Sequence, residues 1–373
     1  MNKNKALGLI IILLLLSTGC WDAQDISQRA FVNAVVVDAL DDNSENKYKI
    51  TLEIIKPETI IRRDTRDEAT IIHTAEAKSI ADAVEQIQSR ISRPISFGHI
   101  RLVLMGEEVS RRESIMNTLD YFIRHPDIAV RFRIAFVQGA EAREVLYAKP
   151  SFERFMTAEL VAMTELEPEL ATLRTAPFNE FIGNLLGNKG TELAPRVLIQ
   201  GKDEPVIRNG GAVLKNWKLA GWLSAEETQG ANWLIGDANA VVVAQEDNES
   251  YTYKVDKQSA KIIPYTKDGE LAFRVEVKTD GILRQKNNSK LDVSQPENLA
   301  KIEKLFSRTI NNQVSTAIES AQVNFKADYL GFGQALRRKD PALFKTLNWD
   351  QVFPTVPVEV KVKARITRFG MTT

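Results

Sequence analysis

Cysteine, histidine and extended apolar runs are all scarce in this chain of 373 residues. The single cysteine, Cys20, excludes an intrachain disulfide framework and any zinc site built on several thiolates. Three histidines, His73, His99 and His125, stand far apart, which argues against histidine-rich metal chemistry; no metal or other cofactor is expected. Charge of one sign is missing as well: 49 Lys+Arg balance 49 Asp+Glu, so no basic excess draws in nucleic acid. What remains, 44% hydrophobic and 26% charged residues, is the composition of an ordinary folded protein with room for two or three domains.

The one pronounced apolar run is at the start. Lys3 and Lys5 precede Ala6–Leu16 (ALGLIIILLLL), and Ser17-Thr18-Gly19-Cys20 follows. A basic start, a short apolar stretch and a small-residue exit are the parts of a secretory signal. The run falls short of the roughly 20 residues a membrane-spanning helix needs, and no later segment approaches that length. The exit LSTGC resembles a bacterial lipobox, with cleavage between Gly19 and Cys20 and lipid attachment at Cys20. Ser17 holds the place where a leucine is usual. Such a cysteine carries a diacylglyceryl group, and two acyl chains anchor stably at about 0.8 kcal/mol per buried methylene. Losing residues 1–19 removes Lys3 and Lys5 and leaves a net charge of −2, so the tether relies on lipid and not on charge.

Beyond the signal, Phe31–Val37 (FVNAVVV) reads as a buried strand, and Tyr48, Ile50, Leu52 and Ile54 alternate with polar residues as in a half-buried one. Asp41–Asn46 (DDNSEN) between them reads as a hairpin loop and lacks the glycine and closing glutamate of a calcium loop. A helix over Ser79–Ile91, a strand over Ile100–Met105, a helix capped by Ser110 and Glu113, a strand over Val130–Phe136 and a helix over Ala140–Ala148 complete a β-β-α-β-α-β-α order. Ser151–Leu186 is helical with breaks at Pro168 and Pro177. A hairpin (AVLKNWKLAGWL) and short helix (SAEETQGANWL) carry Trp217, Trp222 and Trp233. Strands at Val241–Val243, Tyr251–Val255, Lys261–Pro264 and Leu271–Val277 precede a long amphipathic helix capped by Ser294 and Glu297, with Leu299, Ile302, Phe306, Ile310, Val314 and Ile318 on one face. Val358, Val360, Val362, Ala364 and Ile366 alternate with charged residues in the closing strand. The expected fold class is α+β, multi-domain, with antiparallel or mixed sheets and packed helices. Its expected divisions are a signal at 1–19, an α/β domain at 20–200, a small hairpin–helix region at 201–240 and an α+β domain at 241–373.

Reaction chemistry is hard to find. No G-x-S-x-G elbow and no G-x-x-x-x-G-K-[ST] phosphate loop occurs. Gly187-Asn188-Lys189-Gly190-Thr191 has the wrong order to cradle phosphates, and Gly331-Phe332-Gly333 has Leu336 where a third dinucleotide-fingerprint glycine belongs. His99 precedes an apolar strand and could serve as a general base, yet no serine, cysteine or carboxylate pair accompanies it, so a structural role is preferred. Carboxylate pairs assembled in space leave no sequence trace and stay open. Trp217, Trp222 and Trp233 either line a ligand site or protein-contact patch, or pack a small core, and packing is the preferred reading.

Several segments together resemble the C subunits of spore germinant receptors, the Ger(x)C lipoproteins of endospore-forming bacteria. They are Gly19-Cys20-Trp21-Asp22 with Ile26, and Gly98-His99-Ile100-Arg101 through Gly106-Glu107, followed by Leu119-Asp120 and Arg124. Next come Gly211–Lys215, Leu219-Ala220-Gly221-Trp222-Leu223, Glu226-Glu227-Thr228, Gly230 and Trp233-Leu234. Asp328–Gly333, Trp349 and the segment Val358–Gly370 close the set, in the family's order along nearly the whole chain. The resemblance implies a non-enzymatic subunit of a receptor complex in the spore inner membrane, with three mixed α/β domains. Its implied partners are membrane-embedded receptor subunits, and the membrane itself through the lipid. Two other readings remain to be weighed: a solute-binding lipoprotein for small nutrients, which needs a cleft between like lobes, and a surface hydrolase, which needs a catalytic constellation in a pocket.

Overall fold

The structure is a computed structural model that describes residues 28–41, 44–56, 69–165, 171–172, 174, 177–199, 209–236, 240–289 and 291–369. Its first half opens with the antiparallel strands β1 (Ala30–Ala39), β2 (Tyr48–Ile55) and β3 (Thr70–Ala77). Then come α1 (Ile80–Gln88), the short β4 (Ile95–Ser96), β5 (Leu102–Gly106), α2 (Glu107–Arg112), α3 (Ile115–Arg124) and β6 (Arg133–Gln138). A 3-10 segment (Ala142–Tyr147), α4 (Met156–Glu165), α5 (Phe178–Gly187) and β7 (Glu192–Leu198) lead to a hairpin of β8 (Gly211–Lys215) and β9 (Lys218–Leu223), then to α6 (Ala225–Ile235).

These strands make one sheet in the order β3-β2-β1-β5-β6-β7-β8-β9, with β4 also on β1. The centre (β1, β5, β6, β7) is parallel and both flanks are antiparallel. A parallel centre is covered on both faces, which explains why β1 is apolar almost without interruption. Val32, Val35 and Val37 face a cluster that includes residues of α1, α3 and α5, while Ala34 and Val36 face one that includes the 3-10 segment and α4. The register shifts at Asn33, whose buried amide donates to the buried Glu53 carboxylate at 2.7 Å.

The second half is a four-stranded sheet, β10 (Val241–Glu246), β11 (Glu249–Lys267), β12 (Glu270–Asn287) and β13 (Val358–Arg368), in that order. β12 and β13 are parallel because a helical crossover joins them. That crossover is α7 (Pro296–Glu319), a π turn (Ser320–Asn324), α8 (Phe332–Lys339), α9 (Pro341–Thr346) and α10 (Trp349–Val352). Buried Ile302, Phe306, Ile310, Val314 and Ile318 of α7 belong to the same core as Val275 and Val277 of β12.

The α+β class and the long C-terminal helix are as the pattern implied, and several details differ. β3 was not legible, because Ile71 and its neighbours on this edge strand are only partly covered. Two expected strands, Tyr251–Val255 and Lys261–Pro264, are parts of the single β11, whose 19 residues span roughly 60 Å at ~3.3 Å each. The expected caps are replaced. α2 starts directly from β5, so Ser110 is interior and its hydroxyl donates to the Gly106 carbonyl at 2.7 Å, while Glu113 follows the helix end. Ser294 bonds Asp292 instead of capping α7, which Gln295 and Pro296 begin. A full capping box does occur, between Ser224 and Glu227 on α6.

Nor does the described middle region, 209–236, form a separate core. Its hairpin extends the first sheet, while α6 packs on α7 of the second half. Gly230 sets that contact: a methyl there would lie 2.2 Å from the Gln313 carbonyl oxygen and 2.9 Å from the Ala317 Cβ. Gly230→Ala is therefore expected to destabilise the protein by roughly 1–3 kcal/mol in urea unfolding. Gly183→Ala in α5, where nothing lies within 4 Å, serves as the control and should be neutral to stabilising.

Candidate interaction sites at the junction of the two sheets

Gly19 and Cys20 lie outside the described residues, as do Trp21, Asp22 and Ile26. The three tryptophans do not share a patch. Trp233 is fully buried between α6 and α7, and its indole donates to the Gln313 side chain at 2.9 Å. It is removed from any contact surface, because the apolar face of α6 needs a large side chain to fill the space against α7. Trp217 and Trp222 are half-buried on the other half's core.

Trp217 occupies the hairpin turn with Asn216, and both have positive φ (68° and 50°). Two-residue turns of this hand match the twist of the flanking strands, although glycine or asparagine is usual and tryptophan carries strain. Tertiary contacts hold it there. Its N–H donates to the Gly190 carbonyl at 3.0 Å, and its carbonyl accepts from Ile115 at 2.7 Å. Its ring covers Gly190, where a Cβ would sit 2.6 Å from Cδ2.

Trp222 instead meets Glu107 at the start of α2, its indole donating at 3.1 Å. Arg111 donates to the same oxygen at 2.7 Å and 3.0 Å, and the Gly139 N–H reaches the other at 3.3 Å. Burial raises the Glu107 carboxyl, but these donors outweigh it and hold it below the usual range. The Gly106-Glu107 and Trp222 motifs are thus two ends of one polar lock between α2 and β9.

A second lock explains Asp328–Gly333 and Trp349. The Asp328 carboxylate accepts the backbone N–H groups of Gly331, Phe332 and Gly333 at 2.9, 3.0 and 2.6 Å, and the Trp349 indole at 2.9 Å. The anion sits on the first turn of α8, where the helix dipole favours it. Burial pushes this carboxyl up, with the four donors opposing. Gly333 admits the indole, since a Cβ would lie 2.6 Å from Trp349 Nε1.

Among the described residues no cluster of three or more His, Cys, Asp or Glu is arranged to hold a metal. His99 is exposed and packs edge-on against Phe31 at 5.0 Å, while His125 contacts Phe97 and Tyr121. The buried carboxylates are dispersed: Glu53 binds Asn33, and Asp38 accepts the Ala142 and Arg143 N–H groups at 2.7 and 3.1 Å. Burial pushes Asp38 up to about 6 against those two bonds. These groups do structural work within the first sheet and at its edge with the 3-10 segment. The sequence patterns missed them because their partners are distant in the chain.

Glu192, at the start of β7, is 6% exposed and lines the cleft between the sheets with Arg174 and Glu180. Burial pushes it up to about 7; Arg174 and the Leu193 N–H oppose this and Glu180 adds to it. A raised carboxyl stabilises the fold below its unfolded value of 4.5, and that contribution is lost as pH climbs through about 7. Glu192→Gln should remove this slope, shrinking the difference in unfolding free energy between pH 5 and pH 8 by about 2 kcal/mol in urea titrations.

Similarity to known proteins runs through both halves of the chain. The family described as "Spore germination protein N-terminal domain" matches residues 22–199, and "Spore germination B3/ GerAC like, C-terminal" matches 209–370. Spore germination protein B3 of Bacillus subtilis (strain 168) is 22% identical over 374 residues, covering 99% of each chain. Spore germination protein KC of the same organism is 22% identical, covering 97% of this chain and 96% of its own. The crystal structure of the GerBC protein superposes with a TM-score of 0.57 at 20% identity, over 92% of this chain and 100% of that one. The two family matches meet between 199 and 209, just before the hairpin that carries Trp217 and Trp222. With models of this family matching both halves of the chain, the chain belongs to the Ger(x)C family of spore germination proteins.

Proposed function

We propose that the protein is the lipid-anchored, non-enzymatic C subunit of a spore germinant receptor, held on the outer face of the cytoplasmic (spore inner) membrane. It acts by contact with membrane-embedded receptor subunits during nutrient-triggered germination. The observation that carries this reading is the end-to-end match to germination proteins, 99% of both chains in the case of B3. Among the described residues no helix is long and apolar enough to cross a membrane; in this reading the attachment is the lipid on Cys20 at the signal exit. Two or more acyl chains hold a protein stably where one is marginal. Confinement to the membrane plane raises the effective concentration of other membrane proteins without any new contact.

The half-buried Trp217–Trp222 hairpin, with its Glu107–Arg111 lock, is our candidate for the partner-facing surface. It combines aromatic area with a fixed backbone, a combination enriched where binding energy concentrates. The solute-binding alternative is disfavoured by the unlike halves, a nine-stranded mixed sheet against a four-stranded one.

Cys20→Ala is expected to release the protein from the membrane fraction of spores and to abolish germination through its receptor, with the folded domain intact by circular dichroism. Wild-type germination at a normal membrane level would refute the anchor.

A further inference from the structure

The junction of the two sheets holds a cleft of about 520 Å³ whose charged lining residues are mostly cations. Lys189 and Lys215 enter from the α5–β7 turn and β8 of the first sheet, and Lys326, Arg337 and Lys345 from the helical crossover of the second. Two carboxylates line it, and Asp328 is already spent on the α8 N-terminus and Trp349. That leaves Asp350 alone against the cations. Lys215 donates to the Phe325 carbonyl at 3.1 Å. Lys189, Lys326, Arg337 and Lys345 are exposed and form no ion pair with a described residue, although ion pairs are common elsewhere on the chain.

Two features set this cluster apart from a solvated charge run. It is concave, and low-dielectric walls focus the field of like charges. It is also assembled at conformational cost: Lys189, Asn216 and Lys326 on its wall have φ of 51°, 50° and 50°. Outside the second half's Asp247, Asp268 and Asn288, every described non-glycine residue with positive φ is one of these three or the adjoining Trp217. For the two lysines this conformation costs of order 1–3 kcal/mol each and persists where surrounding structure imposes it, whereas Asn216 is a usual occupant of its hairpin turn. Phe344, Leu347 and Trp349 add an apolar side to the wall.

We propose that this cleft binds a small polyanion, a compound carrying two or more phosphate or carboxylate groups. The volume is that of a small-molecule site and not of an extended macromolecular groove. An occupant would neutralise cations from both halves at once and so fix one sheet against the other. This goes beyond the anchored-subunit reading and does not rest on it.

The test uses the detergent-solubilised full chain at fixed ionic strength, titrated calorimetrically with pyrophosphate and, separately, with citrate. Intrinsic tryptophan fluorescence, to which Trp349 on the cleft wall contributes, gives a second readout. Saturable one-site binding is expected with at least one probe, pyrophosphate alone marking a phosphate site and citrate alone a carboxylate site. Lys326→Gln/Arg337→Gln should weaken binding at least tenfold. Lys278→Gln/Lys363→Gln, a cross-strand pair on β12 and β13, should leave it unchanged. No saturation with either probe, or equal loss in both double variants, would overturn the proposal.

Discussion

The close approach of α6 to α7 at Gly230 is the constraint on which the rest of the molecule depends. The hairpin β8–β9 belongs to the first sheet, and α6 follows it within two residues. Wherever α6 packs, the two sheets are tied. Gly230 removes the side chain that would hold the helices apart, Trp233 fills the space beside it, and Gln313 accepts the buried indole N–H. The Ser224–Glu227 box fixes the start of α6, and Glu227 also accepts from Ser320 at 2.5 Å, reaching the π turn that ends α7. Burial raises the Glu227 carboxyl, but Ser320 and Ser224 hold it below the usual range. A helix terminus in one half is thereby pinned to a helix terminus in the other.

Elements whose burial follows chain periodicity were legible in the sequence. β1 is apolar on both faces because both faces are covered, β13 alternates because one face is open, and the α7 stripe reads directly as its core side. What was not legible depends on partners far along the chain. β3 has a half-exposed edge pattern that sequence cannot separate from a loop. The helix caps at Ser110 and Ser294 fit a local rule, yet the strand running straight into α2 and the proline at α7 override it. The candidate site fared similarly. Trp233 could not be told from Trp217 or Trp222 by spacing, although one is core and two are half-buried. The Asp328 cradle also falls outside the local capping rule, since the N-cap of α8 is Gly331 and the carboxylate stands three residues before it.

Under the proposed function, in which the protein works by contact, this arrangement has a simple use. Its motif residues are spent on fixing backbone geometry: Gly190 on Trp217, Glu107 on Trp222, Asp328 on Trp349. Each aromatic side chain is held by a glycine or carboxylate from another element, so the junction presents a shape already formed. A preorganised surface avoids the ordering cost that loops incur on binding. The lipid would then supply proximity and the junction supply fit.

Mass spectrometry of the mature amino terminus tests this account most directly. The account predicts that the protein isolated from spore membranes begins at Cys20 and carries a diacylglyceryl group on its sulfur. A first residue elsewhere, or an unmodified Cys20, would contradict it.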